Sequence, residues 1–117
     1  MLLFLSDDLV FPSRVRGLAQ PLGVELKVVR PADIAACEAP EVKLALIDLA
    51  AAGPATAEVI RAIRQRWPQA RTVAFGPHVD VALLHSAQEA GCELVLPRSQ
   101  FAQRLSELVA LARPASS

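Results

Sequence analysis

Five short apolar runs, each followed by a segment of helical character, constrain this chain more than any other feature. Residues 1–5, 24–29, 42–48, 72–75 and 92–96 have the length and apolar content of strands. The first helix is expected over residues 13–22, with Val15, Leu18, Ala19 and Leu22 on one face and Gly23 as its stop. Residues 31–37, opened by Pro31, allow only a short helix. Residues 50–55, with Gly53-Pro54, are expected to form a loop, and Thr56 to cap a helix that runs to Trp67 before Pro68. That helix would bury Val59, Ile60, Ile63 and Trp67. Asp80 is expected to cap the fourth helix and Gly91 to end it. Ser99 is expected to cap the fifth, with Phe101, Leu105, Leu108 and Ala112 inward.

A strict β-α alternation implies parallel strands with helices on both faces of the sheet. Crossovers between parallel strands are nearly always right-handed. The common order for five such strands in a chain of this length is 2-1-3-4-5, so the expected fold is α/β, a flavodoxin-like three-layer sandwich with five parallel strands in that order. Strand two alternates Val24, Leu26 and Val28 against Glu25 and Lys27, the pattern of an edge strand with one wet face. Residues 1–113 make one domain, and residues 114–117 a disordered tail.

This order brings strands one and three together, about 4.8 Å apart. Ligands in open α/β sheets gather outside the carboxyl ends of the strands. Asp48 closes the third apolar run, and Asp7-Asp8 follows the first. Asp7 or Asp8 would then face Asp48 across the crevice. Carboxylates crowded in this way repel one another unless a cation intervenes, so the arrangement allows weak Mg2+ binding. The simpler alternatives are a strand-end Asp48 accepting backbone hydrogen bonds, and an Asp7-Asp8 pair that only caps a helix or forms a turn.

Charge and composition exclude several classes. Twelve acidic and twelve basic residues balance, so no global field favours nucleic acid or an anionic membrane. No window approaches the roughly 20 apolar residues of a membrane span. Cys37 and Cys92 lack metal-type spacing and are expected to be reduced and buried, in a cytoplasmic setting. His78 and His85 are expected to be ordinary surface residues. The turn after strand one has no glycine, against a phosphate-cradling loop.

Taken in order, Asp7-Asp8, Ile47-Asp48-Leu49, the run from Gly76 to Gly91 and Leu96-Pro97-Arg98 resemble the receiver domain of two-component response regulators. The resemblance implies Asp48 as phosphoacceptor, and Asp7, Asp8 and Asp48 as ligands of a magnesium ion. It also implies a hydroxyl after strand four, a lysine after strand five and a rotating aromatic ring on strand five. Here those three positions hold Gly76, Arg98 and Val95. Glycine has no oxygen to offer, arginine is not equivalent to lysine at a tight phosphate site, and valine has no ring. A shift of one residue would place Ser6 and Asp7 at the acidic-pair positions instead. Arg98 is expected to pair with one of these acids.

The expected function is thus a degenerate or atypical stand-alone receiver, not an enzyme, acting through protein-protein contact. Its expected partners are other signalling proteins, a histidine kinase or a second copy of the chain, with neither nucleic acid nor membrane. The alternative is a small flavodoxin-like α/β enzyme or cofactor carrier.

Overall fold

A computed structural model describes residues 1–8 and 10–114. The strands are β1 (Leu2–Leu5), β2 (Leu26–Val29), β3 (Leu44–Asp48), β4 (Arg71–Gly76) and β5 (Leu94–Pro97). They form one parallel sheet in the order β2-β1-β3-β4-β5, the predicted topology. The helices are α1 (Phe11–Ala19), α2 (Leu49–Ala52), α3 (Thr56–Arg66), α4 (Val81–Glu89), α5 (Arg98–Gln103) and α6 (Leu105–Ala110). Of the predicted tail, residues 114–117, Pro114 is exposed and residues 115–117 lie outside the described residues.

Alternation along the strands builds two cores. Leu2, Phe4, Leu44, Leu46, Val73 and Phe75 pack beneath α1, α5 and α6. Leu3, Leu5, Ala45, Ile47 and Ala74 pack beneath α2, α3 and α4. β1 and β3 are buried on both faces, as their uninterrupted apolar runs require. Each fully buried Leu, Ile or Phe contributes about 1.5–3 kcal/mol of hydrophobic stabilisation. The predicted inward faces of the third and last helices are buried throughout.

Several local expectations are corrected. Helix α1 starts at Phe11 rather than residue 13, because Pro12 fits a first helical turn. Residues 50–55 are not a loop: α2 follows β3 directly and runs into a 3-10 turn, Gly53–Ala55. Thr56 lies inside α3, and its hydroxyl donates to the Gly53 carbonyl at 2.7 Å instead of capping. Ser99 also lies inside a helix, since α5 begins at Arg98. The predicted fifth helix is interrupted at Arg104, which separates α5 from α6. Asp80 caps α4 as expected, accepting from the Leu83 N–H at 3.2 Å.

β2 is an edge strand as expected, and Val24 is buried and Glu25 exposed as the alternation suggested, but the pattern breaks at the carboxyl end, where Val28 is exposed and Val29 buried. Cys37 and Cys92 are free thiols, but only Cys37 is buried. Partial burial still pushes the Cys92 thiol above its ordinary value. Among the described residues no helix is long and apolar enough to cross a membrane.

Candidate functional site

Register decides which side chains meet at the carboxyl edge. Leu5 pairs with Ile47, so the next residues in step are Ser6 and Asp48. The Ser6 hydroxyl donates to Asp48 Oδ2 at 2.8 Å. Both residues are buried, Ser6 at 3% and Asp48 at 4% exposure. The residue facing Asp48 is therefore serine, not Asp7 or Asp8: β1 ends at Leu5 as expected, and the first residue beyond it, Ser6, is the one in step with Asp48.

Both oxygens of Asp48 are engaged. Its Oδ1 accepts the Ala50 N–H at 3.1 Å, which makes it the N-cap of α2. The carboxylate thus ties β1, β3 and the start of α2 together. Ser6 Oγ also accepts the Asp8 N–H at 3.0 Å, extending the tie into the following turn.

Asp8 belongs to a second cluster. Its Oδ1 accepts from the N–H groups of Val10 at 2.7 Å and Phe11 at 3.4 Å, the local turn that introduces α1. Its Oδ2 accepts from Arg98 Nη2 at 2.9 Å. The Val10 N–H, together with Arg98 and the Phe11 N–H, holds this carboxyl below its ordinary value. The Arg98 guanidinium lies 5.1 Å above the Phe11 ring and 5.9 Å from that of Phe75. Those rings belong to a cluster that also contains Phe4 and Phe101, with Phe75 and Phe101 stacked at 4.0 Å. Arg98 is thus held by a carboxylate and by the negative faces of two rings.

Asp7 is exposed and lines a groove of about 580 Å³ with Ser6, Asp8, Pro12, Arg16, Val28 and Arg30. Asp48 is not part of that lining. Among the described residues no three His, Cys, Asp or Glu side chains are placed together to hold a metal ion. As arranged, these residues do not fit a magnesium ion: Asp48 is buried and set apart from the groove that Asp7 and Asp8 line, and Asp8 is paired with Arg98.

Across the site, Gly76 ends β4. A side chain there would meet Leu49, whose Cβ lies 3.3 Å from the position a Cβ would take, with Leu84 at 3.6 Å. Leu49 is fully buried and fills the space beside Gly76. Val95 is half-buried on the same side of the sheet, packed against the core beneath α3 and α4. His85 sits on the exposed face of α4, 3.0 Å from Glu89.

Sequence reasoning raised Ser6 only as an alternative register of the acidic pair, not as the hydrogen-bond partner of Asp48, and it missed the packing of Leu49 and the phenylalanines under Arg98. The apolar spacing of Leu2 to Leu5 against Leu44 to Ile47 held the register that would have found Ser6.

With the edge assembled, comparison with solved structures is decisive for the architecture. A signal receiver domain from Vibrio parahaemolyticus superposes with a TM-score of 0.72 at 21% identity, covering 95% of this chain and 87% of the other. The receiver domain of NtrX from Brucella abortus gives 0.71 at 18% identity, covering 94% and 98%. The chain has the receiver fold. A third receiver-fold neighbour is a response regulator protein from Burkholderia pseudomallei, solved with a phosphorylated aspartic acid, a calcium ion and citrate. It gives 0.69 at 18% identity, covering 99% of this chain and 76% of the other. Neither a family model nor a curated protein matches the sequence. The receiver fold is thus carried by a sequence only 18–21% identical to those three neighbours.

Proposed function

We propose that this protein is a receiver-type signalling domain that works by protein-protein contact and does not use Asp48 as a phosphoryl acceptor. One observation carries the reading: the Asp48 carboxylate is buried, and each of its oxygens already accepts a hydrogen bond, from Ser6 Oγ and from the Ala50 N–H. A nucleophilic carboxylate needs an open face and a neutralised approach for the incoming phosphoryl group. Here the neighbour of Asp48 is a hydroxyl, and the nearby cation, Arg98, is engaged by Asp8.

The other replacements agree with this reading. Gly76 offers no hydroxyl, and Leu49 occupies the space beside it. Val95 has no ring to turn inward. Any Mg2+ binding is weak, because Arg98 must first release Asp8 and Asp7 must join it. The partner is another signalling protein, with a histidine kinase and a second copy of this chain as the candidates. The two free thiols suit a reducing, cytoplasmic setting.

Incubation with acetyl phosphate and Mg2+, followed by intact mass measurement, tests the proposal. The expected result is unmodified protein. A substantial adduct that disappears in Asp48→Asn would overturn it. A parallel Mg2+ titration by NMR should leave the amides of residues 6–8 and 48 unmoved at concentrations that saturate an ordinary carboxylate cluster.

A further inference from the structure

Helix α2 is a single turn set directly on Asp48, the residue that caps it. Its first residue, Leu49, is fully buried, and its last, Ala52, is buried beside it, while Ala50 between them is exposed. The helix is pinned at two points. One is the Ala50 N–H bond to Asp48. The other is the Leu49 side chain, lodged beside Gly76 in the space that a side chain there would claim. Immediately beyond, Gly53 has φ 53° and ψ −131°, a combination that L side chains rarely adopt. Nothing lies within 4 Å of the position a Gly53 Cβ would take, so glycine is used there for its backbone freedom and not for tight packing.

We propose that α2 is a hinged cover over Asp48: Leu49 is its anchor, Gly53 is its hinge, and lifting it withdraws the Ala50 N–H and opens the carboxylate, while the Ser6 bond between β1 and β3 stays in place. This deepens the reading of Asp48 as a closed site and rests on it. Gly76 is integral to the device, since a side chain at that position would contest the seat of Leu49. The cover is short, and only two of its four residues are buried. It can open without disturbing β3, which is paired on both sides by β1 and β4.

Carboxyl labelling with a water-soluble carbodiimide and an amine, read by peptide mass spectrometry, tests the cover directly. In the wild type Asp7 should label readily and Asp48 very little. Leu49→Ala should raise labelling of Asp48 by on the order of tenfold, with that of Asp7 unchanged. Leu49→Met, which conserves volume, should leave Asp48 protected. Native-state hydrogen exchange on the unaltered protein supplies a second measurement that needs no variant. The amides of Ala51 and Ala52 should exchange through a local opening, less protected than those of Ala45 and Ile47. Asp48 labelling as fast as Asp7 in the wild type, an unresponsive Asp48 in Leu49→Ala, or α2 amides as protected as β3 would each overturn the proposal. A phosphoryl adduct on the wild type would instead strike the proposed function, and the labelling result would stand separately.

Discussion

Ser6 and Asp48 are joined by a 2.8 Å hydrogen bond inside the crevice between β1 and β3, where two carboxylates were expected to meet. The hydroxyl is a donor and carries no charge, so it satisfies the buried acid without requiring a metal. Removing it should leave Asp48 Oδ2 without its partner. Ser6→Ala is expected to destabilise the fold by about 1–3 kcal/mol, measured by urea unfolding. Ser6→Asp should destabilise further by like-charge repulsion, and added Mg2+ should raise its Tm while leaving that of the wild type unchanged.

Arg98 and Asp8 give the fold a pH dependence at acid pH. The folded carboxyl of Asp8 lies below its ordinary value. Its contribution is therefore fully present above the unfolded value of about 3.9 and is lost as pH falls through the lower folded value. Arg98→Ala should lower the Tm at neutral pH. The gap between variant and wild type should narrow at the acid end, and thermal melts across pH 2–7 (about the titration range of carboxylates) will show whether it does. Arg98→Lys should restore only part of the difference, because the planar stacking over Phe11 is lost.

Gly91 has φ 94° after the end of α4, and an added Cβ would overlap the Arg64 guanidinium, which donates to the Ala90 carbonyl at 3.2 Å. Gly91→Ala is expected to destabilise by about 1–2 kcal/mol from backbone strain alone. Equilibrium unfolding of Gly91→Ala in an Arg64→Ala background should recover the portion that comes from the clash.

Leu49 and Gly76 should behave as a coupled pair. Gly76→Thr introduces a Cβ 3.3 Å from Leu49 Cβ and should destabilise by about 1–3 kcal/mol through overpacking. In Leu49→Ala the same threonine should be far better tolerated. A double-mutant cycle with an interaction energy near zero would remove the packing argument.

The fold was legible because its signals are redundant. Runs such as residues 42–48 and the buried stripe of Val59, Ile60 and Ile63 each set an element, strict alternation of elements made the strands parallel, and the common order for five such strands matched the sheet. Helix starts were less legible. Thr56 and Ser99 have the chemistry of caps, but the chain was already turning before each of them. At the site, sequence located Asp48 at the end of β3 and the pairing of Arg98 with an acid. It did not separate Ser6 from Asp7 as the neighbour of Asp48, because a single-residue register exchanges them and apolar runs leave strand ends uncertain by about that much. The role of Leu49 was hidden for another reason: it depends on the glycine at position 76, 27 positions further along the chain.

The indole of Trp67 donates to the Ala39 carbonyl at 2.9 Å and lies beside residues 40–42, at the amino-terminal end of β3. It is the only tryptophan, and the chain has no tyrosine. Intrinsic emission is therefore a single lamp placed at the end of the sheet opposite Asp48. It will register loosening of the contact between α3 and the segment before β3, and it will stay steady while α2 opens and closes. A titration that leaves the emission spectrum flat thus says nothing about events at the carboxyl edge, which must be followed with a probe placed there.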